Sequence, residues 1–405
     1  MFKRIYKIVF LVCFSSFVRA QDYLPSYSLD TTNRSTLEIN GYGLMGATVV
    51  QNKMSKKFIT GGLLSEQLLS EQLGNHKSVN RIGAIISSEI IYTHPYFFKK
   101  RFKNMGWSLK GQQQIVIAAN YSQDLFQLIF NGNQDIQNLN FDDFYLNLQH
   151  FSKVGFGVFN KKNNSSIHLN IIGAHRYTDV YTRKASYSNS DNNLLNLSLD
   201  GALTNSNSNQ FINGWGVGID AAFYSSFGQK RDHFKGLLSI KVDNLGAVRF
   251  NETTSINVDT SINYSGFSLA ELTNLSDFNQ QKLEDTLGVK RDTASLIKSL
   301  PTFIQIGKEV DVLDTRSFQS FFGVRLMPIL AVIPQVYGGL HWRINKQFNT
   351  GAQFLYGGFS HLKVGVYGSF ISTNWKLSLG SEDVIGVFSR NGRGTSAVIR
   401  AIWRF

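Results

Sequence analysis

The chain has 405 residues, with 41 Lys and Arg against 28 Asp and Glu and a formal net charge of +13. Charged residues make up 17% of it, against roughly 25% in typical globular chains, while aromatics reach 13% with 32 Phe and 16 Tyr. Its one cysteine is Cys13, so disulfides and thiolate metal sites are excluded from everything that follows.

The first twenty residues read as a targeting segment. Lys3, Arg4 and Lys7 give a positive start, Ile8 to Val18 are mostly apolar, and Val18-Arg19-Ala20 suits a signal peptidase. The apolar run is too short to span a bilayer as a helix. Val12 precedes Cys13 where a lipoprotein signal wants a small residue, so a cleaved secretory signal over 1–20 is expected. Without its four cations the net charge falls to about +9. No linker rich in Pro, Ser or charge divides 21–405, which reads as one domain.

No later segment holds the roughly 20 apolar residues of a membrane helix. A chain low in charge and rich in aromatics can instead hide its apolar residues in alternation, on the outside of a closed barrel. Gly41-Tyr42-Gly43-Leu44-Met45-Gly46 carries the glycines of a dinucleotide fingerprint without its strand–turn–helix context, and reads as a glycine-rich strand. Lys53 to Lys77 alternates poorly. A long ordered loop is its plain reading, and a short helix partly plugging the barrel is the alternative. Ile82–Tyr92, Gly106–Ala118 and Asp124–Phe130 are strand candidates. Between them, Lys99-Lys100-Arg101 and Lys103 form the densest basic cluster. It lacks the interleaved aromatics of a nucleic-acid face, so a solvated loop or turn, or a contact with lipopolysaccharide phosphate, is expected. Asp142-Asp143 is an acidic pair whose neighbours point to opposite faces of a strand, which favours a strand-end turn over shared work on one water.

Period-two alternation continues through Phe144–Leu148, Ile167–Ile171, Leu195–Leu199, Trp215–Phe223 and Leu238–Val242. Ser268-Leu269-Ala270-Glu271 is a capping-box arrangement, followed by leucines at roughly helical spacing. Thr293 to Leu300 suggests a second short helix stopped by Pro301. Residues 266–300 are therefore expected to form a helical insert. Hairpins counted back from a periplasmic C-terminus put it on the extracellular side, or folded into the lumen.

The C-terminal third alternates most clearly. Val336, Gly338, Leu340, Trp342 and Ile344 oppose Gln335, Tyr337, His341, Arg343 and Asn345. Leu362, Val364, Val366, Gly368 and Phe370 oppose His361, Lys363, Tyr367 and Ser369. Ala397, Ile399, Ala401, Trp403 and Phe405 oppose Ser396, Arg400 and Arg404. These runs have the 9–11 residues or so that a tilted membrane strand needs. Short polar turns join them, so the expected fold is an all-β, up-and-down antiparallel transmembrane barrel of about 14 strands, between 12 and 16, with a short helical insert.

Several segments resemble a family of Bacteroidota outer-membrane barrels that has no assigned activity. Asp124-Leu125-Phe126-Gln127-Leu128-Ile129-Phe130-Asn131-Gly132-Asn133 is similar to its early strand and turn. Val242-Asp243-Asn244-Leu245-Gly246-Ala247-Val248-Arg249-Phe250 is similar to its mid-chain segment, and Ser299-Leu300-Pro301 to the turn after its insert. Leu379-Gly380-Ser381 and the closing strand complete the resemblance. The family is distantly similar to fatty-acid-channel barrels and to the type nine secretion shuttle barrel. The resemblance implies a bacterial outer membrane location and no catalytic residues. The closing strand also resembles the signal read by the barrel-assembly machinery, with Trp403 and Phe405 in its hydrophobic slots and Arg400 where glycine is frequent.

Tyr337, His341, Arg343, Lys363, Tyr367, Arg400 and Arg404 are the candidate lumen-lining residues. They read either as a positively biased pocket for an acidic solute or lipid carboxylate, or as the polar filling any such barrel needs. Outer-membrane phospholipases need Ser and His on the lipid-facing wall, whereas His168, His341 and His361 fall on polar strand faces, so no enzyme is expected. No histidine has metal-site spacing, and neither a metal nor a cofactor is expected. The leading functional expectation is a passive channel or transporter for a small or amphipathic ligand. The alternative is a non-transporting envelope barrel that docks a partner protein or secretion machinery. Expected partners are outer-membrane lipid and lipopolysaccharide, the assembly machinery and an envelope protein, with no nucleic acid. A lateral opening for a hydrophobic ligand is sought at Gly214–Gly218.

Overall fold

The computed structural model describes residues 34–97, 103–131, 138–189, 195–206, 210–227, 236–264, 288–311, 314 and 316–405. The expected signal segment, Lys99-Lys100-Arg101 and most of the expected insert lie outside these residues.

Strand β1 (Thr36–Ala47) leads into helices α1 (Asn52–Thr60) and α2 (Glu66–Asn75), then β2 (Asn80–His94) and β3 (Met105–Tyr121). Helix α3 (Gln123–Asn131) precedes β4 (Asn138–Asn140), β5 (Tyr145–Asn160), β6 (Ser166–Asn189) and β7 (Leu195–Ser206). There follow β8 (Gly214–Phe227), β9 (Gly236–Tyr264), β10 (Lys290–Ser299), β11 (Phe303–Glu309) and β12 (Phe318–Leu326). The chain ends with β13 (Ile333–Arg343), β14 (Phe348–Gly358), β15 (Ser360–Ile371), β16 (Trp375–Ser381), α4 (Val384–Phe388) and β17 (Gly394–Arg404).

Fourteen of these strands close an antiparallel barrel. Around the ring each pairs with its neighbours in chain order, skipping only β4, β7 and β10. The ring shuts where Thr36 pairs with Arg404 and Gly46 with Gly394, so the closing strand meets the first described one along its length. Closure removes both sheet edges, which a strand in hydrocarbon requires because every backbone N–H and C=O must find a partner.

The side-chain phase is inverted relative to a soluble domain. Val154, Leu169, Ile171, Val217, Leu340, Phe354 and Leu362 point outward and are exposed, while Lys153, Gln114, Glu89, Lys363 and Arg325 point into the lumen and are buried. An apolar exterior around a polar interior is what a bilayer selects. Aromatics gather near the end that carries the chain termini. Phe318 stacks on Trp342 at 5.7 Å, Phe370 meets Phe348 and Trp375 at 4.7 and 5.0 Å, and Tyr92 lies between Trp107 and Phe405. Such a belt suits the membrane interface. The turns at 343–348 and 371–375 at this end are short, and the longest connection, 47–80, lies at the other.

At that loop end the wall continues past the barrel. β6 has 24 residues and β9 has 29, and 29 residues at about 3.3 Å each reach roughly 95 Å, far more than a bilayer needs. The far halves of β6 and β9 pair with β7 on either side of it, while β4 and β10 flank them, giving a projecting five-stranded sheet.

Four expectations are corrected. Thr293–Ser299, all but the last residue of the expected second helix, lies in strand β10, because the far half of β9 offers it a ladder from Asn257 to Ala247. Asp124–Phe130 forms helix α3. There Ser122 Oγ accepts from the Leu125 N–H, and Phe126 stacks on Phe130 one turn away at 4.6 Å. Lys53–Lys77 is mostly helical rather than a loop: α1 and α2 share a small core with Ala47, Val49, Leu68 and Phe126 at the rim. Gly214–Gly218 is paired on both sides, to β6 and to β9, and is no lateral opening. The glycine-rich strand at 41–46 and the strand-end turn at Asp142-Asp143, where Asp143 has φ 57°, are as expected.

Candidate functional site

The lumen is the site where charge is concentrated, and strand irregularities position it. Between Ile219 and Ala221 the ladder from β8 to β9 slips, and Asn244 adopts φ 59°. Asparagine tolerates that left-handed conformation better than most residues. The bulge turns Asn244 and Asp220 inward together. Asp220 accepts the Asn244 N–H at 2.8 Å, Lys110 Nζ at 2.8 Å and Lys153 Nζ at 2.6 Å. Lys153 also donates to Asn244 Oδ1 at 2.6 Å, and Asn244 Nδ2 donates to Gln114 Oε1 at 3.0 Å, across strands that are not neighbours. Lys110 completes the group with Glu89 at 3.0 Å. The Ser299-Leu300-Pro301 turn docks on the same bulge: Leu300 N–H donates to the Gly246 carbonyl and Asn244 Nδ2 reaches the Pro301 carbonyl. Two segments that resembled the barrel family are thus one structural unit, which anchors the luminal charges.

A second network lies nearer the loop end. Glu382, in the connection after β16, pairs with Arg325 of β12 and accepts from Tyr42 of β1 at 3.2 Å. Arg325 also reaches Gln305 and Gln335, and its guanidinium lies 4.4 Å from the Tyr337 ring centre. Around it the lumen is apolar. Leu44 and Ile85 face Phe303, Met327 and Phe359 from the opposite wall across a cavity of about 30 Å³. The 327–332 connection folds inward, burying Met327 and Ala331. Phe359 drops beside Gly83, where a Cβ would fall 2.2 Å from its ring. The turn that delivers Phe359 needs Gly357, which has φ 111° and whose Cβ would collide with the Pro334 carbonyl.

At the termini end the lumen widens into a vestibule of about 210 Å³. Its floor is Lys110, Asp220 and Lys241; Arg400 sits beside Glu38 at 3.2 Å on the wall, and Arg404 lies nearer the mouth.

The sequence-derived candidates face the lumen side but do not form one site. Arg400 and Arg404 line the vestibule. His341 Nδ1 and Tyr367 Oη form a 2.8 Å bond with stacked rings on the wall, and Arg343 is half-buried on the same strand as His341. Tyr337 belongs to the Arg325 network. Lys363 is 1% exposed and makes no hydrogen bond; its Nζ lies near Gly358, within 3.9 Å of where a Cβ there would stand. Sequence reasoning missed Lys110, Lys153, Asp220, Asn244, Arg325 and Glu382. The available signal was a lone charge inside an apolar strand, as in Ile219-Asp220-Ala221, because such a charge must face inward.

Two histidines face the opposite way. Ser152 shares the outer face of Val154 and bonds His175 Nε2 at 2.7 Å, while His175 Nδ1 meets the Phe211 carbonyl at 2.6 Å. Gln113 and His150 pair beside them at 2.8 Å. A Ser–His contact on the outer wall was not expected. It sits at the bulge between His150 and Phe151, where its members satisfy one another, and the Phe211 ring covers His175. Among the described residues no cluster of three or more His, Cys, Asp or Glu is placed to hold a metal.

No protein-family profile matches the chain, and no curated protein is similar to it in sequence. Solved barrels are similar in structure at low identity. The translocator domain of the autotransporter NalP from Neisseria meningitidis aligns over 93% of this chain and 91% of its own, at 8% identity and TM-score 0.35. A deletion mutant of TodX, a monoaromatic hydrocarbon channel, aligns over 92% and 90%, at 8% identity and TM-score 0.39. The Ralstonia pickettii toluene transporter TbuX aligns over 93% and 90%, at 8% identity and TM-score 0.24. The chain's own geometry shows a closed fourteen-stranded antiparallel β-barrel with an apolar outer face and a polar lumen.

Proposed function

We propose that the protein is a passive transporter of the bacterial outer membrane for a small or amphipathic ligand, gated inside its own lumen. The observation that carries this reading is the order of layers along β3. Ser108 and Lys110 line the open vestibule, Gln114 takes part in the cross-lumen bonding, and Val116 belongs to the apolar plug. A ligand crossing the barrel meets basic charge, then a hydrogen-bonded layer, then apolar side chains, a sequence suited to a solute with both polar and apolar parts. On this reading the chain is a barrel of the Bacteroidota type that its segments resemble, inserted through Trp403 and Phe405 and surrounded by lipopolysaccharide. Removing two luminal cations, Arg343→Ala with Arg400→Ala, shifts ion selectivity in planar bilayers toward cations. Unchanged selectivity sinks the reading.

A second reading, a non-transporting barrel that docks an envelope protein, is favoured by the projecting sheet. It predicts that the intact chain supports no solute flux and that deleting residues 195–206 abolishes partner capture.

A further inference from the structure

The geometry points to Ser152 as a base-activated nucleophile on the outer wall, suited to hydrolysing the acyl ester of a membrane lipid. The ladder between β5 and β6 slips at His150 and Phe151, leaving His175 as the extra residue of a bulge. The bulge brings His175 to the outer face beside Ser152, whose Oγ lies 2.7 Å from His175 Nε2. His175 Nδ1 lies 2.6 Å from the Phe211 carbonyl. A carbonyl oxygen only accepts, so the ring proton sits on Nδ1 and Nε2 is left to accept from the Ser152 hydroxyl. Nucleophile, base and base-orienting group therefore stand in the order that acyl transfer needs. The orienting carbonyl is itself held in place. Asn213 donates from its backbone to the Ala174 carbonyl and from its side chain to the His175 carbonyl. Gln113 is the direct cross-strand neighbour of Ser152. One N–H of its amide faces His150 at 2.8 Å, and the second has no partner among the described residues, which supplies a donor for an oxyanion. The sequence argument against a lipid-facing hydrolase concerned His168, His341 and His361; it is the bulge that puts His175 on the other face.

The surroundings name the substrate. Ser152, Gly173 and Trp215 form one row across β5, β6 and β8, and Val154, Ile171 and Val217 form the next row toward the termini end. Trp215, Val154, Ile171 and Val217 are exposed apolar side chains, so an acyl chain packs along this wall with its ester at the hydroxyl. β8 begins at Gly214, opposite Ala174, so water reaches the bulge from the loop end. Ser152 Oγ attacks the ester carbonyl carbon while its proton passes to His175 Nε2. The bond from that carbon to the alcohol oxygen breaks, and the alcohol leaves with the proton. Water then attacks the acyl-serine, giving one proton to His175, which returns it to Ser152 Oγ as the fatty acid leaves.

This activity is separate from transport and stands whether or not the lumen conducts. The test treats the full chain in detergent micelles with a fluorophosphonate probe, which labels activated serines. In parallel, fatty-acid release is followed from phosphatidylethanolamine in mixed micelles. Labelling at Ser152 and fatty-acid release are expected. Both are lost in Ser152→Ala and slowed about a hundredfold in His175→Gln, the range set by loss of a general base. Heat-dependent migration on gels shows whether each variant has formed a barrel. Ser152→Ala deletes one oxygen, so it keeps the test decisive if His175→Gln does not form one. Absence of labelling, labelling or fatty-acid release that persists in Ser152→Ala, or labelling without fatty-acid release overturns the assignment.

Discussion

Asp220 shows how one luminal residue supports its surroundings. It is the shared acceptor for two buried ammonium groups, so its loss takes a carboxylate from both, leaving Glu89 beside Lys110 and the Asn244 amide oxygen beside Lys153. Removing one partner of a buried ion pair costs about 3–5 kcal/mol, because the remaining charge is left without compensation. Asp220→Ala is therefore expected to lower stability by about that amount in a urea unfolding series in micelles. A change under about 1 kcal/mol shows that water replaces the carboxylate at little cost. Lys363 is the opposite case. It was singled out from alternation alone; it is 1% exposed, and its Nζ lies beside the Gly358 turn, which the Gln335 side chain also approaches. Periodicity reports which face a side chain takes. It does not report which other strand's side chains it will meet.

The elements at the loop end were the least legible. Gln123–Asn131 contains Leu125, Phe126, Leu128, Ile129 and Phe130, an apolar run short enough to read as a strand. Its helical state depends on partners outside the segment: Phe126 packs on His76, with ring centres 4.0 Å apart, and joins the core under α1 and α2. The same contact makes the cap sensitive to pH. Burial lowers the pKa of His76 from its ordinary 6.5, against an opposing pull from the Gln72 carbonyl. A folded cap that holds the imidazole neutral loses stability as pH falls below 6.5, where only the unfolded segment readily takes the proton. Protection factors in α1 and α2, corrected for the intrinsic exchange rate, are expected to fall as pH drops from about 7.5 to about 5.5, and His76→Gln should flatten that response. An identical pH profile in the variant refutes the assignment. The plug is a second element-scale device. Phe359→Ala removes a fully buried ring held against Gly83 and should raise single-channel conductance while the barrel still assembles. Unaltered conductance shows that the ring does not occlude the path.

At the scale of the whole molecule, the ring closes without β4, β7 or β10, so the projecting sheet is an addition to the barrel and not part of its wall. Shortening that sheet by removing residues 195–206 should leave heat-modifiable migration unchanged, and loss of the folded band in that assay counts against this division. The sequence by itself determined the class, the strand number near fourteen, and the inward and outward faces of the closing strands. All of these follow from a period of two and from the parity of hairpins, which are properties of the chain taken in order. Tertiary structure alone decided that Leu195–Leu199 leaves the barrel, that 290–299 is a strand, and that Asp220, Asn244 and the Ser299-Leu300-Pro301 turn meet. Those outcomes depend on which distant segment offers a free edge or an unpaired charge. That information is distributed across the chain and appears in no single window of it.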